Sequence, residues 1–298
     1  MKILECAICG SREKTTLLYK ESILFDSVDK EIFSARRIPD KIHYRLLKCL
    51  RCGLAFSSPI LSENKIKLLY RHSNLTYETE IPSLKKTYGH YLRRTFKYLP
   101  ANPRLLEIGG GNGFFLEEAL ANRITDVWGV EPSPAAVSKA KADIKKRMII
   151  DFFPTKKIKP NSVDIICFFQ TMDHIINPNQ FLAACFKALK KGGIVLCIQH
   201  DTNGLSVKLL GERSPIFDIE HIYLFNKSCL DKIFSKNGFT TLEVFNVENN
   251  FPLRYWVQMF PLPTRFKKFF IKFLKNFHLS ELPLKLPAGN IGIIAQKV

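Results

Sequence analysis

Between residues 104 and 245, short apolar runs alternate with stretches in which apolar residues recur at helical spacing. The apolar runs predict six strands, at residues 104–108, 126–130, 148–151, 163–169, 193–199 and 240–246. The helical stretches between them predict helices at residues 114–122, 134–144, 178–191 and 227–237. Because this alternation is typical of βαβ units, we expect an α/β domain with a parallel sheet covered by helices on both faces.

The segments on either side of this region differ from it in composition. Residues 1–60 carry two close cysteine pairs, and residues 61–100 have a helical period that ends near Pro100 and Pro103, where a helix cannot continue. Residues 246–298 are rich in proline, basic and aromatic residues and close with a strand-like run at 290–297. We therefore expect an N-terminal module (1–60), a helical connector (61–100), the α/β domain (101–245) and a C-terminal cap with a closing strand (246–298).

The composition is that of a globular protein with a strong positive charge. Of the 298 residues, 46% are hydrophobic and 24% are charged, a balance that excludes disordered, collagen-like and small disulfide-rich proteins. The 45 Lys and Arg residues outnumber the 27 Asp and Glu residues, so the net charge is +18. This charge favours anionic partners such as phosphates, nucleic acid or an anionic membrane surface. The sequence shows neither a signal-peptide pattern nor an apolar run of bilayer-spanning length, so we expect a cytoplasmic location.

Four of the eight cysteines lie in two Cys-x-x-Cys-Gly motifs, formed by Cys6 with Cys9 and by Cys49 with Cys52. Each motif places two thiolates on one tight turn, and two such turns make a tetrahedral site for Zn²⁺. A site with four protein ligands has no open coordination position, so we expect a structural zinc ion. Cysteines that bind a metal instead of forming disulfides also favour a reducing compartment. The alternative is four ordinary cysteines.

A glycine-rich loop follows the first strand of the α/β region. Gly109, Gly111 and Gly113 let the backbone turn tightly into a helix and approach a ligand closely. Glu131 lies 20 residues after Gly111, at the end of the next strand, where a carboxylate is suited to accept both hydroxyl groups of a ribose. The third glycine comes one residue too early for a dinucleotide loop, and the carboxylate of Glu107 would repel a pyrophosphate but attract a cationic group. The ligand should therefore carry a ribose and a positive charge, as S-adenosylmethionine does.

With these residues the sequence resembles the class I S-adenosylmethionine-dependent methyltransferases. The resemblance implies a Rossmann-like seven-stranded sheet with S-adenosylmethionine held by the glycine loop, Glu107 and Glu131. It also implies that Asp151 and Phe152, after the third strand, contact the adenine and that Gln170 begins the loop facing the methyl group. The alternative is a nucleotide-binding Rossmann domain of another kind.

The two cysteine motifs placed before a methyltransferase domain resemble a narrower group. These are the zinc-knuckle methyltransferases associated with deoxysugar and surface-polysaccharide biosynthesis. The resemblance implies a small anionic or saccharide acceptor, either a sugar nucleotide or a surface-glycan intermediate, methylated on oxygen or carbon. It also implies that the zinc module forms one wall of the acceptor pocket.

The segment from residue 218 to residue 225 carries the candidate catalytic residues. Methyl transfer needs a base to remove the proton from the attacking group, and a histidine such as His221 suits that role. Glu220 beside it would orient or charge the imidazole, and His174, on the loop after the fourth strand, is the lesser candidate. The alternative is that His221 only anchors its loop by hydrogen bonding and His174 only supports the cofactor loop.

Two further functions stay open at this point. An N-terminal zinc module and a basic surface also suit an rRNA or tRNA methyltransferase. Residues 170–173, however, read Gln-Thr-Met-Asp and not the Asn-Pro-Pro-Tyr type of motif that grips an amino group on a base. A non-catalytic scaffold that keeps the cofactor fold is the third possibility.

The sequence from residue 264 to residue 277 predicts a basic amphipathic helix. Its apolar face contains Phe266, Phe269, Phe270, Phe273, Leu274 and Phe277. Its opposite face carries Arg265, Lys268, Lys272 and Lys275. Residues 261–298 hold seven Lys or Arg residues and one Glu, a net charge of +6. Such a helix either lies on an anionic bilayer at the inner face of the membrane or packs on the core with its lysines solvated.

Overall fold

The computed structural model describes residues 1–23, 42–73, 78–260 and 263–298. The strands are β1 (Thr15–Tyr19), β2 (Leu46–Cys49), β3 (Ala55–Ser57), β4 (Arg104–Ile108), β5 (Asp126–Glu131), β6 (Met148–Ile150), β7 (Val163–Phe169), β8 (Leu189–His200), β9 (Tyr223–Leu224), β10 (Phe239–Pro252) and β11 (Pro283–Lys297). The helices are α1 (Glu63–Arg71), α2 (Ile81–Thr95), α3 (Phe114–Ala121), α4 (Pro134–Ser138), α5 (Ala142–Lys145), α6 (Pro178–Ala188), α7 (Leu205–Leu210), α8 (Lys227–Lys236), α9 (Leu253–Met259) and α10 (Thr264–Asn276).

Seven strands form the main sheet, in the order β10-β11-β8-β7-β4-β5-β6. The strands β8, β7, β4, β5 and β6 are parallel, whereas β11 runs antiparallel to both β8 and β10. The chain leaves β4 towards β5 on one side and later returns to β7 on the other. This reversal opens a crevice at the carboxyl ends of β4 and β7, the usual ligand site of open α/β sheets. The predicted α/β fold with a seven-stranded Rossmann-like sheet is confirmed.

The central strand β7 shows how the sheet is covered on both faces. All seven of its residues are buried. Ile166 and Phe168 belong to one apolar cluster, whereas Ile165, Cys167 and Phe169 belong to another. Because side chains alternate across a strand, the two clusters lie on opposite faces of the sheet. The helical layers on both sides therefore shield the parallel strands from water, as expected.

Local sequence sets where several helices begin. The side chains of Ser133, Asn177 and Asn226 cap α4, α6 and α8 by accepting a backbone N–H of the first turn. Pro134 and Pro178 occupy the first position of α4 and α6, where the missing N–H has no helical partner to lose. These starts agree with the predicted ones.

Two predicted helices were wrong in extent. The helix predicted at 134–144 is two helices, α4 and α5, separated by Lys141 in an extended conformation with ψ 150°. Val137 and Ile144 are both buried and seven residues apart, so their spacing continues the helical period across the break and hides it. The helix predicted at 178–191 ends at Ala188, because Leu189 already pairs with Val163 as part of β8.

The C-terminal strands extend beyond the predicted runs. β10 continues to Pro252 and β11 begins at Pro283, and the two form a long antiparallel hairpin with Pro252 opposite Pro283. The boundary predicted at residue 245 therefore falls inside a strand. Polar residues at 248–250 end the apolar pattern of β10, although the backbone pairing continues through them. α9 and α10 lie between the two strands of this hairpin in the sequence.

The N-terminal module shares a second sheet with the α/β domain. This sheet has the order β1-β2-β3-β9, and its neighbouring strands are antiparallel. β9 comes from the segment after α7, more than 150 residues later in the chain than β3. Phe56 pairs with Tyr223 and Ala55 with Leu224. The module is therefore attached to the segment that contains the candidate catalytic residues.

Candidate active site

A cavity of about 880 Å³ lies at the carboxyl ends of the parallel strands. Its walls come from the loops after β4, β5, β6, β7 and β8, from α1, and from the β10–β11 hairpin with α9. Small-molecule sites are typically about 300–1,000 Å³. The cavity is therefore large enough for a nucleoside cofactor and a second small molecule.

The glycine loop adopts the conformation that its sequence predicts. Gly109, Gly111 and Gly113 have φ values of 78°, 53° and 72°, in the left-handed region that favours glycine. Gly109 and Gly111 line the cavity. Gly113 lies behind the loop, where an added Cβ would come within 2.3 Å of the side chain of Ile144. Gly113 thus allows α3 to begin close to α5, and it does not line the cavity wall.

Glu131 is held at the end of β5 by two backbone N–H groups. Gly111 donates to its Oε2 at 2.9 Å and Ser133 donates to its Oε1 at 2.8 Å. Burial raises the pKa of Glu131, and these two donors counteract the effect. A carboxylate has about four lone-pair positions. After these two hydrogen bonds, each oxygen of Glu131 keeps one lone-pair position. These two positions suit the two hydroxyl groups of a ribose.

Glu107 presents an unsatisfied carboxylate oxygen beside the glycine loop. The residue is 3% exposed, and its Oε2 has no hydrogen-bond partner among the described residues. Burial, with the nearby charge of Glu131, raises the pKa of Glu107 well above its usual range. A buried carboxyl group without a partner is costly. A cationic amino group bound in the cavity would supply both the missing donor and the opposite charge.

Asp151 and Phe152 lie together at the end of β6 and line the cavity. The Oδ1 of Asp151 accepts from the backbone N–H of Phe152 at 2.9 Å, and its Oδ2 accepts from the Thr155 hydroxyl at 2.7 Å. The guanidinium of Arg71 lies 5.6 Å from the centre of the Phe152 ring. Gln170, with φ 49°, follows β7 and also lines the cavity. The structure thus places all predicted cofactor residues except Gly113 on one cavity wall.

Three histidines that line the cavity surround one buried carboxylate. We call Asp173, His174, His200 and His221 the histidine cluster. Asp173 is 1% exposed. Its Oδ2 lies 2.7 Å from Nδ1 of His200 and 3.9 Å from Nε2 of His221, and its Oδ1 lies 3.5 Å from Nε2 of His174. With the Gln199 amide oriented to satisfy its neighbours, its nitrogen donates to Oδ1 of Asp173 at 2.9 Å. Burial opposes ionisation of Asp173, but the three histidines outweigh it and hold its pKa well below the usual range.

His221 is fixed on the side of its ring away from Asp173. Its Nδ1 lies 2.7 Å from the carbonyl oxygen of Ile216, so Nδ1 carries the proton and donates it. The neutral ring therefore has its lone pair on Nε2, the nitrogen that faces Asp173. Its backbone is held as well, because the Ser57 hydroxyl donates to the carbonyl oxygen of His221 at 3.0 Å. His221 and Glu220 both line the cavity.

His174 has partners at both ring nitrogens. The hydroxyl of Tyr70 lies 2.7 Å from its Nδ1 and Asp173 faces its Nε2. Burial, with the nearby charges of Glu220 and Asp173, raises the pKa of Tyr70, so Tyr70 stays protonated and donates. Burial lowers the pKa of His174 to about 4, although Asp173 acts in the opposite direction. The geometry thus favours a positioning role for His174 rather than that of a base.

The four motif cysteines meet as predicted. The Sγ atoms of Cys6, Cys9, Cys49 and Cys52 all lie within 4.8 Å of one another. The Sγ atoms of Cys6 and Cys52 are 3.2 Å apart, and those of Cys9 and Cys49 are 3.5 Å apart. A tetrahedral zinc ion with Zn–S bonds of about 2.3 Å needs sulfur separations only slightly larger than these. The donor set and its geometry therefore fit a structural zinc ion.

Sequence reasoning missed Asp173, His200 and Tyr70 as site residues. His200 ends β8 and Asp173 follows β7, so both are polar residues at the carboxyl end of a buried parallel strand. That position is itself an indication of a ligand site and could have identified them. Tyr70 reaches the cavity because α1 packs across it, and no local pattern in the sequence reveals this contact.

The comparisons with known proteins agree with this geometry. A family model described as "Methyltransferase domain" matches residues 82–244, more than half of the chain. A ubiquinone biosynthesis O-methyltransferase of Saccharophagus degradans is 30% identical over 99 residues, covering 31% of this chain and 42% of that protein. The chain thus matches less than half the length of this relative. The protein of the same name from Psychrobacter arcticus is 24% identical over 174 residues, covering 53% of this chain and 67% of the relative.

A solved structure shows the same fold. The YcgJ protein of Bacillus subtilis superposes with a TM-score of 0.50 at 16% identity, covering 70% of this chain and 98% of that protein. The cavity residues, the strand order and the family match all point in one direction. The chain belongs to the methyltransferase-domain family, and its fold is that of the class I S-adenosylmethionine-dependent methyltransferases.

Proposed function

We propose that the protein is an S-adenosylmethionine-dependent O-methyltransferase that acts on a hydroxyl group of an amphipathic small molecule. The observation that carries this proposal is the histidine cluster on the acceptor side of the cavity. Its His221 ring has a protonated Nδ1 fixed on Ile216 and a basic Nε2 on the opposite side. The bound cofactor would supply the methyl group.

The residues of the cluster divide the proton chemistry between them. His221 removes the proton of the acceptor hydroxyl at Nε2 as the oxygen attacks, which is general-base catalysis. The imidazolium formed in this way lies 3.9 Å from the Asp173 carboxylate, which stabilises its charge. His174 and Gln199 hold Asp173 in place. The cluster therefore accepts a proton without moving any of its side chains.

The residues around the glycine loop would bind the cofactor. Glu131 would accept the ribose hydroxyls, Glu107 the amino group, and Asp151 with Phe152 the adenine. The orphaned oxygen of Glu107 is the feature that favours a cofactor with an amino acid portion over a plain nucleotide. A structural zinc ion at the four motif cysteines would stabilise the module that holds the His221 loop.

The acceptor side of the cavity favours an apolar molecule with a hydroxyl group. Apolar and aromatic side chains line it, among them Phe251, Tyr255, Trp256, Met259 and Leu286. Lys2 and Lys67 are the only lysine or arginine residues among the described lining residues. Glu63 forms an ion pair with each of them, at 3.3 Å to Lys2 and 2.8 Å to Lys67. A sugar nucleotide carries two phosphate charges that this wall does not match.

Among the saccharide acceptors that the sequence predicts, a surface-glycan intermediate with an apolar anchor fits these walls better than a sugar nucleotide. Transfer to oxygen rather than carbon agrees with a histidine base and with the O-methyltransferases among the relatives. RNA is disfavoured because Glu63 pairs with both lysines at the cavity, which leaves little positive charge there for phosphates.

The proposal is tested by finding which pool of molecules takes up the methyl group. The wild-type protein is incubated with methyl-labelled cofactor and, separately, with a lipid extract, a sugar-nucleotide pool and an RNA pool. We expect label in the lipid extract. With that acceptor, His221→Ala should lower kcat by about 10²–10⁴-fold, while His90→Ala, an exposed histidine of α2 outside the cavity, leaves kcat unchanged. Label in RNA alone, or an unchanged kcat in His221→Ala, would contradict the proposal.

A further inference from the structure

The C-terminal amphipathic helix exposes the side that its sequence marks as apolar. Phe266, Phe269, Phe270, Phe273 and Phe277, here called the phenylalanine face, are each 42–63% exposed. The helix contacts the rest of the protein through the side next to the phenylalanine face. Leu274 is buried, Ile271 is half-buried, and the Nζ of Lys267 donates to the carbonyl oxygen of Gln258 in α9 at 2.7 Å. The phenylalanines therefore contribute little to the core.

The helix that carries the phenylalanine face is strongly basic. α10 contains five basic residues and no acidic residue. Within the described ranges, Arg265, Lys268, Lys272 and Lys275 form no ion pair. At helical spacing, Arg265 and Lys272 lie nearest to the phenylalanine face, and Lys268 and Lys275 lie farther round on the opposite side of α10. A helix that exposes both aromatic and basic side chains suits a surface where apolar groups meet anionic groups.

The helix packs beside one wall of the cavity. α10 packs against α9, whose residues Tyr255, Trp256 and Met259 line the cavity. Four further lining residues, Leu205, Leu209, Phe260 and Leu286, are more than a third exposed and form what we call the apolar rim. Large exposed patches of apolar side chains are uncommon on monomeric proteins and usually mark an interaction site. The apolar rim is therefore a candidate for such a site.

We propose that α10 docks the protein on an anionic lipid bilayer, with the phenylalanine face inserted between the headgroups and the flanking lysines on anionic lipids. Aromatic and apolar side chains of an interfacial helix enter the boundary between headgroups and acyl chains, and each nearby lysine adds attraction to anionic lipid. In the part of the chain that the structure describes, no helix is long and apolar enough to cross a membrane. The docking does not depend on the proposed methyl acceptor; only the entry of a lipid-anchored acceptor over the apolar rim rests on it.

Charge favours a bilayer over a second copy of the chain. A twofold pairing of two phenylalanine faces would bring Arg265 and Lys272 of two α10 helices closer together, and neither helix contains an acidic residue to offset them. The Coulomb repulsion of these residues opposes such a dimer. Anionic headgroups would instead offset the charge of these basic residues.

Flotation with lipid vesicles tests the proposal. The full-length protein is mixed with phosphatidylcholine vesicles that do or do not contain phosphatidylglycerol, at low and high sodium chloride, and is centrifuged through a sucrose gradient. Two variants alter the helix, Phe269→Glu/Phe273→Glu and Lys268→Glu/Lys272→Glu. Lys145→Glu/Lys146→Glu makes the same charge change at the C-terminal end of α5 and serves as the matched control, called the α5 control. Zinc content and the affinity for S-adenosylhomocysteine show that each variant is folded.

We expect the wild type and the α5 control to float with the anionic vesicles at low salt, and high salt to weaken this binding because it screens the lysines. Both α10 variants should lose at least about tenfold in bound fraction. Three results would overturn the proposal: wild type that stays in the soluble fraction, a control that loses binding as fully as the lysine variant, or a dimer that Phe269→Glu/Phe273→Glu dissociates in the absence of lipid. Because flotation uses no methyl acceptor, failure here is distinct from failure of the proposed O-methylation.

Discussion

The unsatisfied carboxylate of Glu107 gives the sharpest test of how the cofactor binds. The change is Glu107→Gln, which keeps the shape of the side chain but removes its charge. In the empty protein, the substitution replaces a buried carboxyl group whose Oε2 has no partner among the described residues, so we expect no loss of folding stability. The effect should appear only when a cationic amino group occupies the cavity.

The expected magnitude follows from the one bond that is lost. A hydrogen bond to a charged group contributes about 1.5–3 kcal/mol, so the Kd for S-adenosylhomocysteine should rise about 10- to 150-fold. 5′-Methylthioadenosine has the same nucleoside but no amino acid portion, and its Kd should change by less than about twofold. Affinity should also fall as the pH drops, because the raised pKa of Glu107 leaves it protonated and uncharged in the empty cavity at low pH.

Isothermal titration calorimetry of both ligands checks this prediction. Glu117→Gln provides the matched control, since that carboxylate pairs with Lys85 at 2.7 Å and Lys141 at 2.6 Å and lies outside the cavity. It should bind both ligands like the wild type. If Glu107→Gln weakened the two ligands equally, or weakened neither, Glu107 would not contact the amino group and the reasoning would be refuted.

Three further predictions concern other parts of the site. Glu131→Gln should weaken S-adenosylhomocysteine and 5′-methylthioadenosine alike, by about 1–3 kcal/mol in calorimetry, because both carry the ribose; a selective effect on one ligand would contradict this. The unfolded chain protonates His174 near pH 6.5 and the folded protein only near pH 4. At this residue the unfolded state therefore binds more protons between these values. Urea titrations should show the stability of the wild type relative to His174→Gln falling by about 3 kcal/mol from pH 7 to 4. Removing zinc with a chelator, or Cys52→Ser, should lower kcat more than the affinity for S-adenosylhomocysteine; equal losses would mean general unfolding.

The sequence predicts the sheet well, and it predicts residues that line the cavity beside the glycine loop, because both depend on local patterns. Buried parallel strands appear as continuous apolar runs, and those of β4 and β7 coincide with the observed strands. Glu107, Glu131 and Asp151 each stand at or just after the end of such a run. In a parallel sheet these ends lie at one edge, so the position in the sequence determines the position in the site.

The acceptor side is less predictable because it depends on packing between distant segments. The histidine cluster combines residues that follow β7, end β8 and precede β9, and no spacing in the sequence shows that they meet at Asp173. In α10 the strongest apolar periodicity marks the phenylalanines, yet Leu274 is the buried residue. Periodicity shows which face of a helix is apolar, but it does not show whether protein or another medium covers that face.

Under the proposed function, the contacts just before β9 would give the N-terminal cysteine module a role in catalysis, although a zinc ion bound by four cysteines has no open position. The backbone N–H of Ser57 donates to the carbonyl oxygen of Ile222 at 2.8 Å, and the Ser57 hydroxyl donates to that of His221 at 3.0 Å. On the other side, the N–H of Ile222 donates to the carbonyl oxygen of Asp173 at 2.7 Å. The backbone of His221, the proposed base, is thus held between the module and the backbone of Asp173, whose carboxylate would stabilise the charged imidazole. A displacement of about 1 Å in a reacting group can cost about 10²-fold in rate, so loss of the metal should act on kcat through the position of His221.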